Sequence, residues 1–280
     1  MSNMQSKYNK NDISGGISRT NRALLDKLNR QAQGPFTVRE AAVIFGLPLK
    51  KTSRLLAFWA SRGWLTRIIN GIYAAVPLGA SYPKERKEDP WIVAAKVFNP
   101  CYIGGWSASE HWGLTDQIFN DVIVFSSRET RRRKHEIQGT VYMVKKTDKK
   151  KFFGLKPVWK GQMKISVSDP ARTIIDLLDE PYFGGGIRSV AGMLKEYFTG
   201  DLKDDRKLAE YLDKFGSGTV YKRLGYLLET LKVGSPQLVN ICLNNISAGY
   251  SKLDPGLPST GRIIRKWNLK INASLYGVVQ

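Results

Sequence analysis

Metal-binding and redox chemistry have little to draw on in this chain. Its 280 residues hold two cysteines, Cys101 and Cys242, and two histidines, His111 and His135. No CxxC pair occurs and no disulfide framework can be assembled. A zinc site would have to be completed almost wholly by carboxylates, so no metal and no cofactor is expected. The sparse cysteine usage fits a reducing compartment, and the expected location is cytoplasmic. No apolar run reaches the ~18–20 residues of a spanning helix. The opening stretch MSNMQSKYNKNDISGG is polar and lacks the apolar segment of a secretory signal, so residues 1–17 read as a disordered tail.

Acidic residues are also scarce. Against 44 Lys and Arg stand 24 Asp and Glu, a formal net charge of +20. A surface this basic attracts polyanions, and with membrane spans excluded the leading class is nucleic acid. With 42% hydrophobic residues the chain can still build a sizeable core.

The charge is concentrated early. Residues 1–88 contain 15 Lys and Arg and 5 Asp and Glu, a net of +10. Leu24, Leu25 and Leu28 give a one-sided helical stripe ended by Gly34-Pro35. Thr37 with Glu40 forms a capping-box pattern, followed by Val38, Ala41, Ala42 and Phe45 on one face. Gly46 and Pro48 break the chain before a third helix, from about Leu49 to Arg62. On a wheel of 100° per residue, Thr52, Leu55, Leu56, Trp59 and Ala60 share one side. Lys50, Ser53, Arg54, Ala57 and Ser61 share the other, with Lys51 and Phe58 at the border. Trp64 to Ile69 and Ile72 to Val76 read as two strands joined by the hairpin signal Asn70-Gly71.

Helix, helix, helix and hairpin is the order of a winged helix-turn-helix, expected over 18–80. Its third helix would enter a major groove and its hairpin would lie along the backbone or a minor groove. The candidate DNA-binding residues are Arg19, Lys50, Lys51, Thr52, Ser53, Arg54, Ser61, Arg62, Arg67 and Asn70. The competing reading is a three-helix element with a solvated basic face, used for protein contact.

Residues 77–90 (PLGASYPKERKEDP) mark a boundary, with 81–90 as the linker, and 91–280 read as a larger mixed α/β domain, giving an α+β chain overall. Helices are expected over Trp91–Phe98, from a Ser107/Glu110 capping box, from Asp169-Pro170, and through most of Ile187–Leu243. Strands are expected at DVIVF (121–125), TVYMV (140–144) and KISV (164–167), with extended segments near the end. Between Arg128 and Lys151 lie ten Lys and Arg and three acids. Arg128, Arg131, Arg132, Arg133, Lys134, Lys145 and Lys146 are therefore candidates for a second polyanion contact, or for the protection of a strand edge.

Catalytic patterns are weak. Asp169 is better explained as a helix cap, and Asp176 has no second acid or lysine at a useful spacing. Gly184-Gly185-Gly186 could cradle a phosphate but lacks a following Gly-Lys-Ser/Thr. His111, set among Trp106 and Trp112, reads as structural. No nucleophile, base and stabiliser can be assembled, so the chain is not expected to be an enzyme; a metal-dependent nuclease using Asp169 or Asp176 is the alternative.

FTVREAAVIFGLP and SRLLAFWASRGWLTRIINGIYAA, then GGWSASEHWGLTD, VSDPARTIIDLLDEPYFGGGIRSV, KRLGYLLE and LDPGLPSTGRIIRKWNLKIN, occur in that order. Together, from about residue 18 to the end, they resemble the AbiEi family, the antitoxin and transcriptional regulator of AbiE-type phage-defence systems. The resemblance implies a winged helix that represses the shared promoter through inverted repeats in double-stranded DNA. It implies a larger domain that counteracts a co-encoded nucleotidyltransferase-type toxin. It is similar to type IV arrangements, in which toxin and antitoxin form no stable complex. Where related wings carry Arg before the turn glycine, this chain has Asn70, and Arg67 stands as its substitute.

Overall fold

The computed structural model describes residues 18–76 and 87–278; the tail read over 1–17 and most of the linker lie outside the described residues. The chain divides into two compact units, 1–88 and 89–280.

In the first unit α1 spans Arg19–Gln31, β1 Phe36–Thr37, α2 Val38–Phe45, α3 Leu49–Ser61, β2 Leu65–Ile69 and β3 Ile72–Ala75. The Thr37–Glu40 capping box forms in full: Glu40 N donates to Thr37 Oγ1 (3.2 Å) and Thr37 N to Glu40 Oε2 (2.6 Å). Gly46, left-handed at φ 66°, ends α2 and turns the chain into α3. The three strands form a sheet in the order β1-β3-β2. Val38 N donates to Gly71 O (3.1 Å), which ties the hairpin turn to the start of α2. Leu28, Ala41, Phe45, Leu56, Trp59, Leu65 and Tyr73 form one core.

The second unit opens with Asp89 and Pro90, which the sequence reading had placed in the linker. Asp89 Oδ1 accepts from Trp91 N (2.8 Å) and caps α4, Pro90–Val97. There follow β4 Cys101–Ile103, α5 Gly105–His111, β5 Val122–Ser126, β6 Lys134–Ile137, β7 Thr140–Lys146, β8 Leu155–Lys160 and β9 Met163–Ser168. They build a six-stranded mixed sheet in the order β6-β7-β5-β4-β9-β8. The expected Ser107 cap is not there. Ser107 sits inside α5, where its Oγ accepts from Ile123 N (3.0 Å) and fastens the helix to β5.

The remaining helices are α6 Pro170–Asp179, α7 Ile187–Thr199, α8 Asp205–Phe215, α9 Gly218–Leu231 and α10 Pro236–Asn244. Helices α7, α8 and α9 pack around α6, whose residues from Pro170 to Leu178 are all buried, and α10 packs on α9 and α8. A small sheet of β10 Ser251–Lys252, β11 Arg262–Ile264 and β12 Leu269–Ile271 closes the unit in the order β10-β12-β11. With ten helices and three sheets among the described residues, the architecture is α+β.

Candidate nucleic-acid interface

The face of α3 follows from its periodicity. Thr52, Leu56 and Trp59 are fully buried, and Trp59 meets Phe45 edge-on at 5.7 Å. Lys50, Lys51, Ser53, Arg54 and Ser61 are exposed on the other side. No acid occurs from 41 to 84, and none of Lys50, Lys51 and Arg54 has an ion-pair partner among the described residues. Their charge is available to an external anion. One candidate is corrected: Thr52 cannot reach DNA, because its side chain points into the core and its hydroxyl donates to Pro48 O (3.1 Å).

The other candidates are held at the edges of this surface. Arg19 is exposed at the first residue of α1. Ser61 is exposed but its hydroxyl donates to Phe58 O (2.7 Å). Arg62 lies over Phe58 at 5.3 Å, and Phe58 in turn meets Trp64 edge-on. Arg67, on β2, lies over Tyr73 at 5.5 Å. Asn70 is exposed at the hairpin tip beside Gly71, whose φ of 83° supplies the left-handed residue the turn requires.

The second basic cluster is dispersed by the fold. Lys145 bridges Asp179 (2.5 Å) and Glu180 (2.9 Å) and is mostly covered, so it is withdrawn from the candidate contact. Arg128 donates to Val97 O (3.2 Å), and Lys146 pairs with Glu129 (2.9 Å). Arg131, Arg132, Arg133 and Lys134 are exposed, and they lead into β6, an edge of the sheet.

The acids named for a nuclease have structural partners. Asp169 caps α6 through Arg172 N (2.9 Å) and accepts from the Tyr211 hydroxyl (3.1 Å). Asp176 is buried and accepts from Arg172 Nη2 (2.9 Å), Arg172 Nε (3.1 Å) and the Tyr102 hydroxyl (3.1 Å). Burial pushes the Asp176 carboxyl above its ordinary range, against the pull of Arg172. Arg172 is stacked over Phe153 (4.4 Å) and Phe215 (5.0 Å). The three-glycine loop ends at α7 with Ile187 N donating to Asp254 Oδ2 (2.9 Å), so a carboxylate of the chain already occupies the anion position. No group of three or more His, Cys, Asp and Glu suited to a metal occurs among the described residues.

Sequence reasoning missed the cations that hold the second unit together. Arg223 donates to Leu178 O (2.6 Å), Asp179 O (3.1 Å) and Lys252 O (3.2 Å), closing the C-terminus of α6 against β10. Lys222 reaches Gly249 O (2.7 Å). A signal for both was present in KRLGYLLE, where a Lys-Arg pair interrupts an otherwise apolar helix. His111 stands between Trp91 (5.4 Å) and Trp112 (4.6 Å), at a cleft of about 370 Å³ shared with Glu110, Asp121 and Lys160.

No family model matches this chain. No curated protein matches it either, so the AbiEi resemblance stands on the quoted residues alone. Among the described residues no helix is long and apolar enough to cross a membrane.

Proposed function

We infer that the chain is a DNA-binding transcriptional autorepressor whose first unit is a winged helix-turn-helix, and that it also acts as an antitoxin. The observation that supports the first part is the two-sidedness of α3. Its inner face is sealed by Leu56 and Trp59, while Lys50, Lys51, Ser53 and Arg54 are exposed and unpaired by any acid among the described residues. A helix so disposed, followed by a hairpin carrying Arg67 and Asn70, has the parts needed to enter a major groove and grip the flanking backbone.

In this reading Arg54 and Ser53 approach base edges, and Lys50, Lys51, Arg62 and Arg67 meet phosphates. Arg19 adds a backbone contact from the start of α1. Ser61 contributes closeness of approach more than a hydrogen bond, since its hydroxyl is engaged within the helix. The binding site is double-stranded DNA upstream of the chain's own gene, read as inverted repeats.

The antitoxin part rests on the resemblance of the second unit's motifs to the AbiEi family. It assigns to that unit the antagonism of a co-encoded nucleotidyltransferase-type toxin without a lasting complex. Two experiments in cells separate the parts. A promoter fusion to a reporter should be silenced by the chain and released by Arg54→Glu. Growth arrested by the neighbouring gene's product should be restored by the chain. A reporter that ignores the protein refutes the repressor; growth that stays arrested refutes the antitoxin and leaves a plain regulator.

A further inference from the structure

The hairpin of β8 and β9 has an unusual composition. Residues 149–168 (KKKFFGLKPVWKGQMKISVS) contain six lysines and no acid. β8 is the outer strand of the six-stranded sheet, and edge lysines alone would be explained as protection against strand pairing. Trp159 does not fit that explanation. It lies 61% exposed on this edge, adding apolar surface where edge protection would remove it.

The register shows what surrounds the ring. Trp159 pairs with Lys164 and Pro157 with Ser166, so these four residues share one face of the hairpin. Lys164 Nζ stands 4.9 Å from the centre of the Trp159 ring. Lys156 and Lys160, on the opposite face, reach over Trp112 (5.4 Å) and Trp91 (4.8 Å), and Lys160 also approaches Asp89 at 4.0 Å. Each tryptophan around the hairpin therefore has an ammonium group beside it. Lys156 and Lys164 are exposed, with no acid in reach among the described residues.

We propose that the β8–β9 hairpin binds single-stranded nucleic acid, with an unpaired base stacked on Trp159 and the adjoining phosphate on Lys164. An exposed ring with an ammonium group on the same face offers what a single strand needs: a π-face for a base and a cation for the adjoining phosphate. A duplex keeps its bases stacked inside and offers no face to the ring. An anionic membrane would share the charge, but the hairpin tip is Gly161-Gln162 and a single ring gives too little apolar area to insert.

The test is fluorescence anisotropy of the full chain with labelled 20-nucleotide oligo(rU), oligo(dT) and a duplex of unrelated sequence. Single strands should bind more tightly than the duplex, and the RNA and DNA arms identify the preferred sugar. Trp159→Ala should weaken single-strand binding by about tenfold or more, the effect of losing one stacked base. Trp159→Phe should retain most of it. Lys164→Glu should weaken binding and reduce the slope of log K against log salt by about 0.7 for the phosphate lost. Trp159→Ala should leave binding to the upstream duplex unchanged, and Arg54→Glu should leave single-strand binding unchanged, so this proposal and the repressor reading fail separately. Equal binding by Trp159→Ala and the wild type would overturn the assignment. So would phosphatidylserine vesicles or a polyglutamate peptide binding through Trp159 while the oligonucleotides do not.

Discussion

Replacing Asp176 with alanine tests whether that acid is a structural partner or a spare catalytic carboxylate. Arg172 is 0% exposed and gives Nε and Nη2 to Asp176, while its Nη1 has no hydrogen-bond partner among the described residues. Without Asp176 the guanidinium retains the Tyr102 oxygen and the ring faces of Phe153 and Phe215. Breaking a buried pair from one side typically costs about 3–5 kcal/mol, because a charge is left buried and uncompensated. For a domain of this size that corresponds to a fall of about 6–20 °C in the melting temperature of the second unit. Asp26 and Arg30 provide an internal control at the same i,i+4 spacing. They meet at 3.0 Å, but with side chains 57% and 77% exposed, so Asp26→Ala should cost about 0–1 kcal/mol. The double change Asp176→Leu with Arg172→Met should be milder than Asp176→Ala, since it removes both charges. The assay is thermal and urea unfolding followed by circular dichroism. A shift below about 2 °C for Asp176→Ala, or equal effects at positions 176 and 26, would refute the argument.

Three further outcomes are expected. Arg54→Glu should weaken binding to the upstream DNA by at least the ~1–3 kcal/mol of a lost base contact while leaving the circular dichroism spectrum unchanged; Thr52→Val, altering a buried residue, should leave binding unchanged, and the reverse pattern in a mobility-shift assay would mean that α3 docks by another face. Gly225→Ala should destabilise the chain by about 1–2 kcal/mol despite the ~1 kcal/mol advantage of alanine in a helix, because the new methyl group meets the buried Trp267 ring, pinned by its bond to Glu229 (2.7 Å); a rise in melting temperature would contradict this packing. Burial pushes the thiols of Cys101 and Cys242 up to about 12, so at pH 8 the thiolate fraction is on the order of one in ten thousand. Maleimide labelling of the native chain should be slow and should become rapid on unfolding, and quick native labelling would show that one of the thiols is accessible.

Local signals with a self-contained hydrogen-bond logic were readable in the sequence. Thr37 with Glu40, and Asp169 followed by Pro170, satisfy helix starts within four residues, and both caps form as the pattern predicts. Ser107 with Glu110 has the same spelling but a different fate, because Ser107 is claimed by the backbone of Ile123, 16 residues away. Strands whose identity depends on neighbours were invisible. Cys101–Ile103 is three residues long yet central to the sheet, and Lys134–Ile137 is hidden in a charge cluster. Leu155–Lys160 contains Pro157, which argues against a strand except at an edge, where it lies. For the candidate site, the wheel of α3 separated its buried and exposed faces from periodicity alone. Thr52 stands on the buried side of that wheel, and only its polarity made it a candidate for DNA contact. Lys145 shows the opposite limit: its charge was plain, but its partners Asp179 and Glu180 are more than thirty residues away.

Sequence-specific DNA recognition by α3 and the hairpin, as proposed, is tested most directly by titrating the full chain against its own upstream DNA and a shuffled duplex across a salt series. If Lys50, Lys51, Arg62, Arg67 and Arg19 all meet phosphates, log K should fall with log salt at a slope of about −4 to −5 per chain. The upstream DNA should be preferred by about a thousandfold or more. Equal affinity for both duplexes, however steep the salt dependence, would mean a phosphate-only contact and would contradict the repressor reading.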